Sequence, residues 1–371
     1  MTARRIPRYG GEILLAAGSV ALVAGLLLAA EAVARRLDPE YLSGRPEAGL
    51  ARLHRYSEAY GWEPVPNAVT SIDGQRTTIN ARGQRGRAHP LARTARPRLV
   101  VLGDSIAFGH GVTDEATFSA RLEERGYEVV NLAVDGYGTD QSLLRLEKEG
   151  IAYRADAVLL HFCLANDFVD NVSRTFFYDG LHPKPYFTLE EGVLRAHLHH
   201  LRLSPRRRAE LFLRERSHLF NRMVARPVPT GNEWMERRDA VLGDPQAARA
   251  LTARLVARVA EVGALAGARL VLVLHPDRTS FREVDSPWLA ALRATPAGVV
   301  RVDTGERFRA KGMRFSEVML DSLGHLNPRG HAELAALLDE VLRTFALPRP
   351  AAAATVTASP PRGRREGRTT L

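Results

Sequence analysis

The chemistry this 371-residue chain could perform is concentrated in a few serine, histidine, asparagine and carboxylate residues placed just after apolar runs. The first is Ser105, which follows Arg98-Leu99-Val100-Val101-Leu102-Gly103-Asp104. A serine hydroxyl becomes a nucleophile when a base, usually histidine, stands within hydrogen-bond reach and a carboxylate fixes that histidine's tautomer. Acyl transfer also needs N–H donors aimed at the developing oxyanion. The stretch Asp321-Ser322-Leu323-Gly324-His325-Leu326-Asn327 offers His325 as base and Asp321 as its orienter. The backbone N–H groups of Ser105 and Gly136 and the side-chain amide of Asn166 offer three donors. Each residue alone has an ordinary explanation: Ser105 as a turn or cap, Gly136 as a turn, Asn166 as an Asx-turn, His325 as the approach to a helix. Their occurrence together, in this order, is what those explanations leave unaccounted for.

Elements able to position these residues follow from the pattern. Leu99–Leu102 has the length and composition of a buried parallel strand, and Gly103 suits a sharp exit that a Cβ would resist. Helical spacing predicts a helix from Thr117 to Arg125, a strand over Tyr127–Leu132, a helix from Thr139 to Glu149 and a third strand over Asp156–Phe162. This strand–helix alternation with short connections predicts an α/β fold with a parallel sheet, whose sites lie at the carboxyl ends of the strands. From 172 to 245 the regularity breaks, with several prolines and an arginine-rich helical stretch between Arg207 and Val224, which reads as an insertion or lid. The pattern resumes with a helix over Pro245–Ala266, strands at Arg269–His275 and Val299–Val302, and a last helix from Pro328 to Phe345. His197, His199 and His200 lack acidic or cysteine partners at ligand spacing and read as a solvated face. No residue set calls for a metal or a cofactor.

Ile13–Ala30 carries no charge, close to the roughly 20 apolar residues that a membrane span needs. Arg4, Arg5 and Arg8 precede it, whereas Arg35 and Arg36 behind it are followed by Asp38 and Glu40, a small bias toward a cytoplasmic N-terminus. Ala32-Val33-Ala34 would suit signal-peptide cleavage, but the run is longer than a usual signal core, which favours an anchor. The expected organisation is thus a basic N-terminus and anchor over 1–37, a wrapping stalk over 38–97 with short strands such as Val69–Ile72, a catalytic domain over 98–345, and a disordered basic tail over 346–371. The net charge of +10 is carried almost wholly by arginine, for only three of the 52 basic residues are lysine. No nucleic-acid module accompanies it, so it does not read as a nucleic-acid footprint, and attraction to anionic lipid headgroups stands at least level with that reading. One cysteine, Cys163, excludes a disulfide framework and a cysteine zinc cage. Oligomeric state is not readable.

Gly103-Asp104-Ser105, Asn131 through Gly136, Asn166-Asp167 and Asp321…His325 resemble the four blocks of the SGNH (GDSL-type) hydrolases. The flanking Gly136-Tyr137-Gly138-Thr139-Asp140-Gln141 and His325-Leu326-Asn327-Pro328-Arg329-Gly330-His331 look like the membrane-anchored bacterial branch. The resemblance covers about 98–345 apart from the insertion. It implies a flavodoxin-like three-layer α/β/α sandwich that cleaves acyl esters without a metal. It assigns Ser105 as nucleophile, His325 as base, and Ser105, Gly136 and Asn166 as the oxyanion hole. Two positions depart from the family pattern: Leu164 stands where glycine is usual, and the acid lies four residues before His325 rather than three, so that Asp321 reaches Nδ1 only across a one-residue bulge. His331 is the alternative base, disfavoured because it falls inside the last helix. The α/β-hydrolase elbow G-x-S-x-G is absent. The implied activity is ester hydrolysis of carboxylesterase, acetylesterase or lipase type through an acyl-serine, on the outer side of a bacterial inner membrane, with an acyl-ester substrate that could be glycan or lipid. O-acyl transfer or deacetylation on a cell-envelope glycan, and a catalytically silent binding protein, are the alternatives.

Overall fold

The computed structural model describes residues 9–37, 53–176, 183–224, 240–282, 287–293 and 298–345. The expected tail over 346–371 and the start of the stalk, 38–52, lie outside them. A long helix, α1 (Tyr9–Leu37), comes first. Two antiparallel hairpins follow, β1 (His54–Ser57) with β2 (Gly61–Pro64) and β3 (Val69–Ile72) with β4 (Gln75–Thr78).

The central sheet has five parallel strands: β5 (Arg98–Leu102), β6 (Glu128–Asn131), β7 (Ala157–Cys163), β10 (Arg269–His275) and β11 (Val300–Asp303), in the order β11-β10-β7-β5-β6. The first strand of the sheet lies between the second and the third, which is the flavodoxin-like order. The crossovers therefore change direction between β5 and β7, and the crevice at their carboxyl ends is where a ligand fits such a sheet. Alternation along the strands fills two cores. Val100, Leu102, Val158, Leu160, Leu270 and Leu272 face one side; Leu99, Val101, Leu159, Val271 and Val273 face the other.

The first side is covered by helices α4 (Thr139–Lys148) and α8 (Pro245–Leu265), the second by α3 (Phe118–Glu124), α10 (Thr304–Ala310) and α12 (Pro328–Arg343). Short helices α2 (Ser105–Phe108), α5 (Asp167–Val172), α9 (Pro287–Arg293) and α11 (Phe315–Val318) lie in the connections. Between α5 and α8 the chain forms an antiparallel hairpin, β8 (Tyr186–Glu190) with β9 (Val193–His197), and two helices, α6 (Pro205–Arg216) and α7 (His218–Val224). The sequence reads these two helices as one stretch and leaves the hairpin unseen. Ser217 separates them in an extended conformation. The segment is fastened by a buried ion pair: the Lys184 ammonium, fully enclosed, donates to Asp140 and to the Asp170 carbonyl.

Candidate active site

The turn that presents Ser105 is dictated by its neighbours. Gly103 leaves β5 with φ +140°, and a Cβ there would stand 2.7 Å from the His161 carbonyl oxygen of β7. Asp104 then caps α2, its Oδ1 accepting the Ile106 N–H at 3.0 Å. As the first residue of that turn, Ser105 has an N–H with no partner inside the helix, pointing out of its N-terminal end.

His325 comes from a loop 220 residues further on, and its Nε2 lies 2.8 Å from Ser105 Oγ. That loop is a closed unit. Leu320 N–H donates to the His325 carbonyl at 2.6 Å, and Met319 and Leu326 form an antiparallel bridge beneath it. Asp321 organises the interior: Oδ1 accepts the N–H groups of Leu323, Gly324 and His325, while Oδ2 lies 2.5 Å from His325 Nδ1. The extra residue is thereby absorbed, and Asp321 reaches the ring. Gly324 makes the bend with φ +100°, where a Cβ would meet the Pro276 carbonyl at 2.6 Å. Burial pushes the Asp321 carboxyl up, but the His325 ring and the backbone N–H donors outweigh it and hold the carboxyl below its ordinary value. It is therefore a carboxylate facing Nδ1, which sets Nδ1 as the protonated nitrogen and leaves Nε2 to accept from the serine.

Gly136 follows β6 and Asn166 follows β7, both at carboxyl ends of sheet strands. Gly136 has φ +74°, and a Cβ would fall 2.2 Å from the Phe176 ring. Asn166 lies between β7 and α5, its Nδ2 donating to Asp170 Oδ2 at 2.9 Å and to Asp104 Oδ2 at 3.3 Å. Leu164, at the position where glycine is usual, is half-buried against the first core and donates its N–H to the His275 carbonyl at 2.9 Å, so the loop keeps its attachment to β10. Burial raises the carboxyls of Asp104, Asp167 and Asp170 around this loop.

Several residues of the site escape sequence reasoning. His110 stacks on His325, with ring centroids 4.9 Å apart and 30° between planes. Its Nδ1 is 2.8 Å from Asp135 Oδ1 and its Nε2 is 3.5 Å from Asp73 Oδ2. Burial works against a charge on this ring, but hydrogen bonds to the two carboxylates prevail and push its pKa up to about 10, so it is an imidazolium. The pair formed by Phe108-Gly109-His110-Gly111 and Asp135 was visible as residues, yet nothing in their spacing joins them. Asp73 comes from the β3–β4 turn, within the stretch read as a stalk. That stretch reaches the site at two further points: Arg85, buried, donates to the carbonyls of Phe108 and Val112, and Trp62 Nε1 donates to the Asp135 carbonyl at 2.9 Å. Behind the His325 loop, His275 Nε2 donates to the Gly324 carbonyl at 2.7 Å; burial pushes its pKa down to about 4, which keeps it a neutral donor.

His331 is fully enclosed in α12, stacked on Phe118 and accepting the Phe118 N–H at 3.2 Å, away from Ser105. His197 stacks on Tyr186 and bonds Thr188 Oγ1, and His200 donates to the Lys184 carbonyl.

The arrangement is a serine–histidine–carboxylate line, with the Asn166 amide bonded to the aspartate that precedes the serine, on a flavodoxin-ordered sheet. Solved structures similar to this chain include TesA (14% identity, covering 67% of this chain and 98% of that one, TM-score 0.36). The psychrotrophic esterase EstA from Pseudoalteromonas sp. is similar at 11% identity, covering 67% and 97%, with a TM-score of 0.37. A catalytic mutant of Axe2, an acetylxylan esterase from Geobacillus stearothermophilus, is similar at 15%, covering 66% and 93%, with a TM-score of 0.36. No curated protein matches the sequence. The model of the GDSL-like lipase/acylhydrolase family matches residues 101–333, well over half of the chain: the chain belongs to the GDSL-like lipase/acylhydrolase family of ester hydrolases.

Proposed function

We propose that this chain is a membrane-anchored serine esterase that works through an acyl-serine intermediate on the outer side of the membrane. The 2.8 Å contact between Ser105 Oγ and His325 Nε2, with Asp321 on the far nitrogen, carries the reading. Ser105 Oγ attacks the acyl carbon and its proton passes to His325 Nε2. The oxyanion takes hydrogen bonds from the N–H groups of Ser105 and Gly136 and from the Asn166 amide. On collapse the alkoxide leaves with the proton from His325, and a water, deprotonated by the same ring, releases the acid. Asp321 stays ionised and stabilises the imidazolium formed at each step. His110 acts as a positioning residue against the face of that ring.

The anchor part of the reading is supported by α1, which is long and apolar enough to cross a membrane over Gly11–Leu37 and is unburied along its apolar stretch. The arginines ahead of it favour an inward N-terminus. The test uses the full-length chain in detergent. It should hydrolyse p-nitrophenyl acetate, and a fluorophosphonate should label Ser105. The Ser105→Ala variant should lose both. Hydrolysis that survives in Ser105→Ala would reject the assignment.

A further inference from the structure

The contact between α1 and the rest of the protein is specific, and it falls where the apolar stretch ends. Eighteen residues, Ile13–Ala30, carry no charge, which is about 27 Å of helix and close to the thickness of a bilayer's hydrocarbon core. The next residue, Glu31, is therefore level with the headgroups if α1 spans. Its carboxylate accepts the Ser217 hydroxyl at 2.7 Å and the N–H groups of His218 at 3.0 Å and Leu219 at 2.9 Å, the start of α7. Arg35 donates to Glu31 at 2.7 Å and to the Arg216 carbonyl, the end of α6, at 2.7 Å. Ala34 is buried in the same joint. Two helices of the 172–245 segment are thus pinned to the membrane end of α1 by four hydrogen bonds, with the Arg35–Glu31 pair bracing the joint from within α1.

The surface of those helices is unusual for water. Phe212 is 55% exposed, Leu213 40% and Met223 77%, alongside exposed Arg206, Arg208, Arg216 and Arg222. The Arg216 guanidinium lies over the Phe212 ring at 4.3 Å. Large apolar side chains set among arginines on short helices are the composition of a segment lying in a lipid interface, its apolar groups among the acyl chains and its guanidinium groups on phosphates.

We propose that α6 and α7 form a seat on an anionic phospholipid surface, joined to the anchor through Glu31, so that the hydrolase domain rests on the bilayer in one orientation. This rests on the reading of α1 as a membrane span. The joint also argues for a retained anchor: cleavage behind Ala34 would remove Glu31 and strip Ser217, His218 and Leu219 of their acceptor. A protein partner for the same surface is less well supported, because the surface is continuous with the membrane helix itself.

Cys163 is fully buried, so a single introduced cysteine can be labelled selectively with a fluorophore. The full-length chain carrying Phe212→Cys, Met223→Cys, Leu22→Cys or Arg343→Cys is placed in phosphatidylcholine–phosphatidylglycerol vesicles containing nitroxide lipids. Arg343 ends α12, on the opposite side of the sheet from the segment's hairpin. Labels at 212 and 223 should lose most of their emission to headgroup nitroxides, and the label at 343 should lose none. The label at 22 should respond to nitroxides deep in the chains. The loss at 212 and 223 should shrink when phosphatidylglycerol is left out, and also in Glu31→Ala, with the label at 22 unchanged. Unquenched labels at 212 and 223 with a quenched label at 22 overturn the seat and leave the span standing. An unquenched label at 22 overturns the span and the seat together. Quenching at 212 and 223 that ignores Glu31→Ala overturns the joint. A signal at 212 and 223 that needs added soluble protein rather than lipid means that a protein partner covers the surface instead.

Discussion

Replacing His110 by glutamine removes a cation from the face of His325 while keeping a polar side chain of similar size. The ring centroids are 4.9 Å apart. A unit charge at that distance acts on a neighbouring proton with ~3.4 kcal/mol at an effective dielectric of about 20, and ~1.7 kcal/mol at about 40. His110 is 29% exposed on its side chain, so solvent screens it and the lower figure is the appropriate one, equivalent to about one pH unit. The variant leaves Asp135 and Asp73 facing His325 without their cation, with His54 3.8 Å from Asp135 as the nearest other ring. Both carboxylates, held below their ordinary range by His110 in the native protein, then favour a proton on the base. The acidic limb of the kcat/KM profile should move to higher pH by about one unit, since that limb reports the base in the free enzyme. Asp73→Asn removes an anion and should move the same limb to lower pH. Its shift should be smaller, because the Asp73 side chain is 72% exposed. Hydrolysis of p-nitrophenyl acetate measured across the pH range in the two variants reads both shifts. A limb that stays in place in both, with only the rate reduced, would show that His110 packs against His325 and does not act on its proton.

Other consequences are equally direct. Folding raises the His110 pKa from 6.5 to about 10, so its contribution to stability is complete below about pH 6.5 and drains as the pH rises to 10; thermal melts of the wild type should show this decline, and His110→Gln should flatten it. Asp321→Asn should lower kcat by about a thousand- to ten-thousand-fold with little change in melting temperature, because the amide oxygen can still accept backbone N–H bonds but the carboxylate charge opposite His325 is gone. Gly136→Ala places a methyl against the Phe176 ring at a positive φ and should cost about 1–3 kcal/mol, read in urea melts, with activity lost as well; adding Phe176→Ala should recover part of the rate. Lys184→Met strands Asp140 and should cost about 3–5 kcal/mol near neutral pH, with recovery as the pH falls and the stranded carboxyl takes up a proton.

The strands of the sheet and the residues Ser105 and His325, which the structure brings within 2.8 Å, were legible because both belong to short stretches with a recognisable chemistry. An apolar run ending in glycine is a strand exit wherever it lies, and the four blocks are short enough to be read as units. Asp321 was legible as a residue but not as a contact. Whether it reached His325 depended on how a loop folds around one carboxylate, and three N–H bonds to Asp321 settle that in space. His110 and Asp135 are 25 residues apart and Asp73 lies further upstream, in a hairpin whose burial pattern carries little periodicity. The alternation of β8 and β9 was hidden for a related reason. Val193 and Leu194 on β9 remain partly or fully exposed, so the apolar–polar contrast that betrays a strand is weak there.

The stretch from β1 to Arg85 is made before every strand of the sheet that it supports. Its bonds run to residues far ahead in the chain: Trp62 to Asp135, Gln84 to Tyr153 and the Tyr56 hydroxyl to the Leu201 carbonyl, separations of 73, 69 and 145 residues. During synthesis these bonds therefore cannot form until β5, β6 and the residues leading into β7 have been made, and the one to Leu201 until the chain has passed β9. Such long-range closures are slow steps in folding. The floor under Asp135 acquires its tryptophan only at such a closure, whereas the Arg85 clamp on the His110 loop spans 23 and 27 residues and needs none of it. The candidate site is completed later still, because Ser105 meets His325 only across 220 residues of chain, and a partly made chain carries the serine and the His110 cation without the histidine that they flank.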